Sequence, residues 1–177
     1  MSVTTVKRKD QIEHISRKAD LGITEENLSA ISERLFKMLA DQHVLYIKTR
    51  NYHWNVQGMS FGSLHELLEE QYEEIAVIID HIAERIRKLA YYVPGSMQDY
   101  LKITRLKETG HLDGDAKQML SNLVDDQEQI IRQLREDIPF CEDDHNDVGT
   151  ADFLTGVIQQ HEEMAWMLRA HLADKKK

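Results

Sequence analysis

The sequence predicts an all-α fold: a four-helix bundle with a short extra helix in the long connection between helices two and three. Apolar residues recur at three- and four-residue steps through four long segments, as in amphipathic helices sharing one core. Only two prolines and eight glycines punctuate the 177 residues, so long uninterrupted helices can form. No segment carries a strand signal, and no short-period repeat is present.

Residues 1–22 lack sustained apolar periodicity and read as a flexible tail, ahead of a bundle over 23–174 and a basic end at 175–177. Thr24 is a good N-cap, with Glu25 and Glu26 in the first turn, where the helix dipole favours anions. From there Leu28, Ile31, Leu35, Met38, Leu45, Tyr52 and Val56 define one long helix ending near Gly58. A second helix begins after Ser60, with Leu64, Leu68, Ile75, Ile79, Ile82, Ile86 and Leu89 as its core stripe, and ends before Pro94-Gly95. A short helix at about 96–107 follows, then a turn around Gly110 to Gly114. The third long helix runs near 115–138 with Leu120, Leu123, Ile130, Leu134 and Ile138 inside, and Pro139 is expected to stop it. An acidic loop, Glu142 to Asp147, leads to a fourth helix near 151–173 that carries Leu154, Ile158, Ala165, Leu168 and Leu172 on one face. The connection between the second and third long helices, about 25 residues, suits a crossover that lets both pairs run antiparallel.

Composition narrows the function classes. The formal net charge is −9, so the body repels nucleic acid unless basic residues are segregated. They partly are, with Lys7, Arg8, Lys9, Arg17 and Lys18 at one end and Lys175, Lys176 and Lys177 at the other. No stretch approaches the roughly 18 apolar residues of a membrane span, and the N-terminus has no apolar segment behind its basic residues. The single cysteine, Cys141, cannot form an internal disulfide, and these features together point to the cytoplasm.

The chemistry concentrates in residues 53–85, HWNVQGMSFGSLHELLEEQYEEIAVIIDHIAER, which hold His53, His65, Glu69, Asp80 and Glu84. His65 and Glu69 are four apart, as are Asp80 and Glu84, so each pair presents two donors on one helical face. Imidazole with carboxylate suits iron, manganese or zinc. At about 1.5 Å per residue, His65 and Asp80 lie roughly 22 Å apart on a straight helix and cannot share an ion within one chain. They do share a seam beside the core stripe, stepping through His65, Glu69, Tyr72, Ala76, Asp80 and Glu84. Packed antiparallel on a copy of itself about a twofold axis midway between residues 74 and 75, this helix sets His65 opposite Glu84 and Glu69 opposite Asp80. Two equivalent sites result, each drawing donors from both subunits. Acidic residues four apart are ordinarily a solvated face, but four donors obeying one dyad, with His53 a fifth in the same segment, are harder to dismiss.

HWNVQGMSFGSLHELLEE followed by DHIAER resembles the signature of the Dps family, ferritin-like mini-ferritins, and GTADFLTGVIQQHEEMAWMLRAHL resembles that family's last helix. The resemblance spans about residues 25–173. It implies a dodecameric hollow shell built on twofold dimers, with ferroxidase sites at the twofold interfaces. It also implies His53 and His65 from one subunit, Asp80 and Glu84 from its neighbour, and Glu69 as an outer ligand or a group just behind the ligands. The implied activity is oxidation of Fe(II), typically with hydrogen peroxide, and storage of ferric mineral against oxidative damage, zinc or manganese being possible substitutes for iron. Trp54 matches a tryptophan that members keep beside the site, where it can intercept an oxidising radical; it also reads as a packing aromatic at the interface. Glu69 stands where many members have Asp, and Ala90-Tyr91-Tyr92 replaces the glycine-rich stop often seen after the second helix. The family lines its threefold pores with the region around CEDDHNDVGTAD, which makes Asp144, Asp147 and Asp152 the pore candidates.

Other signals are weaker. Other ferritins use Glu-x-x-His on two helices to hold iron inside each bundle, and the two such pairs here, Glu108 to His111 and Glu142 to His145, fall in the turn before the third long helix and in the acidic loop. Asp10 and His14 have the spacing of a peripheral metal site if the tail becomes helical, but the spacing alone is a weak signal and a solvated tail is the better account of it. His81 projects about 100° away from Asp80 and reads as a surface residue. No function is assigned to His43, His111, His161 or His171. The alternative function is a nucleoid-binding protein whose basic tail, residues 1–18, holds DNA weakly and in a salt-sensitive manner.

Overall fold

The computed structural model of the protein describes residues 19–110, 112 and 114–173. The elements, in order, are α1 (Glu25–Asn55), α2 (Phe61–Lys88), α3 (Met97–Ile103), α4 (Ala116–Pro139), a π-helical turn (Phe140–Asp144) and α5 (Val148–Leu172). Helices α1 and α2 pack as one hairpin and α4 and α5 as another, with α3 lying against α1 in the long connection. No helix among the described residues is long and apolar enough to cross a membrane. Asp10, His14 and the basic residues of both tails lie outside the described residues.

Thr24 caps α1 as expected, and Asp115 caps α4. The Thr24 side chain accepts a hydrogen bond from the Asn27 backbone N–H at 3.3 Å, and Asp115 does the same for Gln118 at the start of α4. Gly58, at φ +109°, lets the chain reverse between α1 and α2. Nearly every expected core residue is buried; Ile79, Ile138 and Leu172 are partly buried at its edge. Ile78 takes the interior place expected of Ile79, because the buried run Ile75, Ile78, Ile82, Ile86, Leu89 keeps the three-four stepping of a single stripe.

Three features depart from the expectations. The short helix ends at Ile103 because a buried carboxylate of α1 captures the next residues of the chain: Asp41 accepts from Thr104 Oγ1 at 2.9 Å, Arg105 N at 2.6 Å and Arg105 Nε at 2.7 Å. Pro139 does not stop α4. It sits in its last turn at helical angles, and the chain runs on into the π-helical turn, where the wider spacing tolerates the missing N–H. The first half of the expected acidic loop, Glu142 to Asp144, is therefore helical. Asp147 rather than a later residue starts α5, its side chain accepting from Thr150 N at 2.9 Å.

Ala90 occupies the left-handed region at φ +71°, just after α2. An alanine there costs about 1–2 kcal/mol, while glycine gives back about 0.4–1 kcal/mol through the unfolded chain. Ala90→Gly is therefore expected to stabilise the protein by about 0.5–1 kcal/mol, read from its denaturant midpoint at fixed subunit concentration.

The middle of the bundle holds a closed polar cluster. His161, fully buried, gives its Nδ1 proton to Gln127 Oε1, and its Nε2 accepts from Gln42 Nε2 at 2.9 Å. Burial pushes the imidazole down to about 3 from an ordinary 6.5. The unfolded chain thus takes up a proton near pH 6.5 that the folded chain refuses until about 3. The stability tied to His161 is complete above the higher value and declines as pH falls through that window. His161→Gln should flatten the acid limb of a stability-pH curve measured by urea unfolding.

Candidate metal centre

The hairpin between α1 and α2 brings His53, in the last turn of α1, against His65, near the start of α2. Their rings stack with centroids 3.8 Å apart and planes 20° from parallel. Each ring bonds the other residue's backbone: His53 Nδ1 to the His65 carbonyl at 2.8 Å, and His65 Nδ1 to the His53 carbonyl at 3.0 Å. A carbonyl oxygen only accepts, so each Nδ1 carries a proton, and in the neutral tautomer that fits this bond each Nε2 keeps a lone pair. A carbonyl partner on the far nitrogen is how a metal-binding histidine is commonly oriented. The His53 carbonyl belongs to the last turn of α1, where helical carbonyls lack partners within the helix, so the clasp satisfies the backbone while aiming the ligands.

His53 is buried and His65 half-buried. Phe61 lies 5.1 Å from the His65 ring, and Tyr72 meets the His53 ring edge-on at 5.3 Å. Glu69 is exposed and accepts from the Tyr72 hydroxyl at 3.1 Å. Trp54, 62% exposed, lies under the Arg50 guanidinium at 5.0 Å.

The remaining donors stand elsewhere on α2. Asp80 is exposed, and Glu84 makes only an exposed ion pair with Lys88 at 3.3 Å. Within one chain the two histidines meet each other but not Asp80 or Glu84; among the described residues no group of three or more His, Cys, Asp or Glu side chains converges as a metal cage. His81 is exposed.

Of the pore candidates, Asp144 and Asp152 are exposed, whereas Asp147 is buried and already engaged. Arg85 Nη2 reaches its two oxygens at 2.9 and 3.2 Å, and Arg85 Nε donates to Thr150 Oγ1 at 2.9 Å. Gly149 makes the approach possible, since a Cβ there would stand 3.1 Å from the guanidinium. Arg85, the last residue of DHIAER, thus ties α2 to the start of α5. Sequence reasoning missed it, although an arginine ending a motif of donors is a signal worth pursuing. Cys141 is buried, and burial pushes its thiol up to about 12, so it offers no thiolate.

Fold and site together describe a ferritin-like protein, and the ferritin-like domain family matches residues 32–177. DNA protection during starvation protein 2 of Bacillus anthracis is 36% identical over 142 residues, 80% of this chain and 96% of the relative. DpsC from Streptomyces coelicolor superposes with a TM-score of 0.88 at 27% identity, covering 96% of this chain and 99% of that one. A Dps protein from Vibrio cholerae, described as a member of a broad superfamily of ferritin-like diiron-carboxylate proteins, gives a TM-score of 0.81 at 32% identity, covering 90% and 99%. The chain belongs to the Dps family.

Proposed function

We propose that this protein is a ferroxidase and iron-storage subunit that oxidises Fe(II), with hydrogen peroxide as oxidant, at sites shared between two subunits. On this reading the product accumulates as ferric mineral inside a dodecameric shell. The observation that carries it is the reciprocal imidazole clasp: two Nε2 donors held side by side, with no carboxylate among the described residues of the same chain completing the set. Under the twofold pairing of α2, the partner's copies of Asp80 and Glu84 supply the missing charge, with Glu69 close behind. The family's diiron-carboxylate chemistry, as named for the Vibrio cholerae protein, supports iron as the substrate.

The division of donors has a chemical logic. Neutral imidazoles bind Fe(II) readily, whereas two carboxylates add negative charge that favours Fe(III) and so draws the oxidation forward. Zinc and manganese suit the same donors and should compete. Trp54, the chain neighbour of His53, would intercept oxidising equivalents that escape. The exposed Asp144 and Asp152 are the candidates for an entry path, and Asp147 contributes by fixing α5 beside it.

Fe(II) added with peroxide to the assembled protein should give ferric absorbance well ahead of a protein-free control, and Zn(II) should slow it. Assembled protein that leaves the rate at the control level refutes the reading.

A further inference from the structure

Four side chains beside the histidines form a connected group that iron binding alone does not explain. Arg50 stands in the middle, its guanidinium 5.2 Å from the Tyr72 ring, 5.0 Å from Trp54 and 5.4 Å from Tyr46. Tyr72 and Tyr46 meet edge-on at 6.1 Å. Only Tyr72 also touches the site, through its edge contact with His53 and its hydrogen bond to Glu69.

These rings differ in how easily they lose an electron. Tryptophan leaves a radical cation, which the positive charge of Arg50 over the Trp54 ring disfavours. Tyr46 directs its oxygen at a guanidinium donor, Arg50 Nη1 at 2.9 Å, rather than at a base. Tyr72 alone has a carboxylate, Glu69 Oε1, placed to take the phenolic proton as the electron leaves, so the radical formed is neutral and Arg50 does not oppose it.

We propose that Tyr72 is the one-electron donor of the site, spending its phenolic hydrogen when a peroxide meets a single Fe(II). This inference rests on the ferroxidase reading above. One Fe(II) supplies one electron to the peroxide and becomes Fe(III); the O–O bond breaks, and one oxygen leaves as hydroxide. Tyr72 supplies the second electron, its proton passes by way of Glu69 to the other oxygen, and water forms in place of a free hydroxyl radical. A later Fe(II), with a proton from solvent, returns the tyrosyl radical to tyrosine.

The test is freeze-quenched electron paramagnetic resonance on assembled protein given one Fe(II) per site and hydrogen peroxide, with iron oxidation read in the same samples. Protein carrying ring-deuterated tyrosine identifies the signal. The expected result is a tyrosyl radical in the parent and in Tyr46→Phe, lost in Tyr72→Phe, where oxidised Trp54 rises instead by mass spectrometry. Glu69→Gln should weaken the signal, because an amide accepts the hydrogen bond but not the proton. Iron oxidation with no tyrosyl signal in the parent, or with the same signal in Tyr72→Phe, overturns the role of Tyr72 and leaves the ferroxidase reading standing. Absence of iron oxidation in the parent overturns both.

Discussion

Shells co-assembled from His65→Ala and Glu84→Ala subunits are expected to recover part of a ferroxidase rate that each variant alone has lost. Each pure shell carries a defect in every site, since all its subunits lack the same donor. At a dyad joining one subunit of each kind, one site loses both groups and the other keeps its full set. In an equal random mixture about one quarter of all sites are then intact, because half of the dyads are mixed and each holds one good site. The measurement is the initial rate of Fe(II) oxidation in mixed shells whose composition is verified by mass spectrometry. Donors confined to one subunit leave every site defective at any mixing ratio, so a flat response would end the shared-site proposal.

The second large effect belongs to a buried ion pair. Lys48 Nζ lies 2.5 Å from Asp126 Oδ2, with the two side chains only 5% and 11% exposed, and it also donates to the Lys107 carbonyl at 2.7 Å. It therefore joins α1, α4 and the end of the long connection. Asp126→Ala strands an ammonium in the interior and should cost about 3–5 kcal/mol. Replacing both partners, as Lys48→Met with Asp126→Leu, should cost far less, chiefly the bond to the Lys107 carbonyl at about 1 kcal/mol. Urea midpoints of the two variants decide the matter, and equal losses would contradict this account of the pair. Burial raises the Asp126 pKa against the opposing pull of Lys48. The folded chain then holds this proton more tightly than the unfolded one, so the contribution of Asp126 to stability falls as pH rises through the carboxylate range.

The four long helices and their apolar stripes were legible because a bundle buries one face of each helix and the stepping of Leu and Ile records it. The two pairs of donors four residues apart, and the impossibility of joining His65 to Asp80 within one chain, came from helical rise alone. The clasp between His53 and His65 was not legible, since it depends on an unpaired carbonyl in the last turn of α1 meeting a ring from the next helix. Pro139 misled for a related reason. The effect of a proline depends on the backbone just beyond it, and here residues 140–144 adopt a wider turn that the missing N–H does not break. Asp147 was noticed for its charge, yet its charge is committed to Arg85 and Thr150. Asp41 and Arg105, which anchor the crossover, are far apart in sequence and carry no local pattern at all.

The imidazole clasp also bears on when iron chemistry can begin in the life of the chain. The two rings are set as soon as one hairpin closes, whereas Asp80 and Glu84 are exposed on α2, and under the proposed pairing only a second subunit would bring its copies of them to the rings. A newly made, unpaired chain would thus carry half a reaction centre, able to hold a metal loosely but poorly equipped to favour its ferric form. Oxidation would start only after pairing has built a wall between the reacting iron and the rest of the cell, so assembly itself would act as the safety catch.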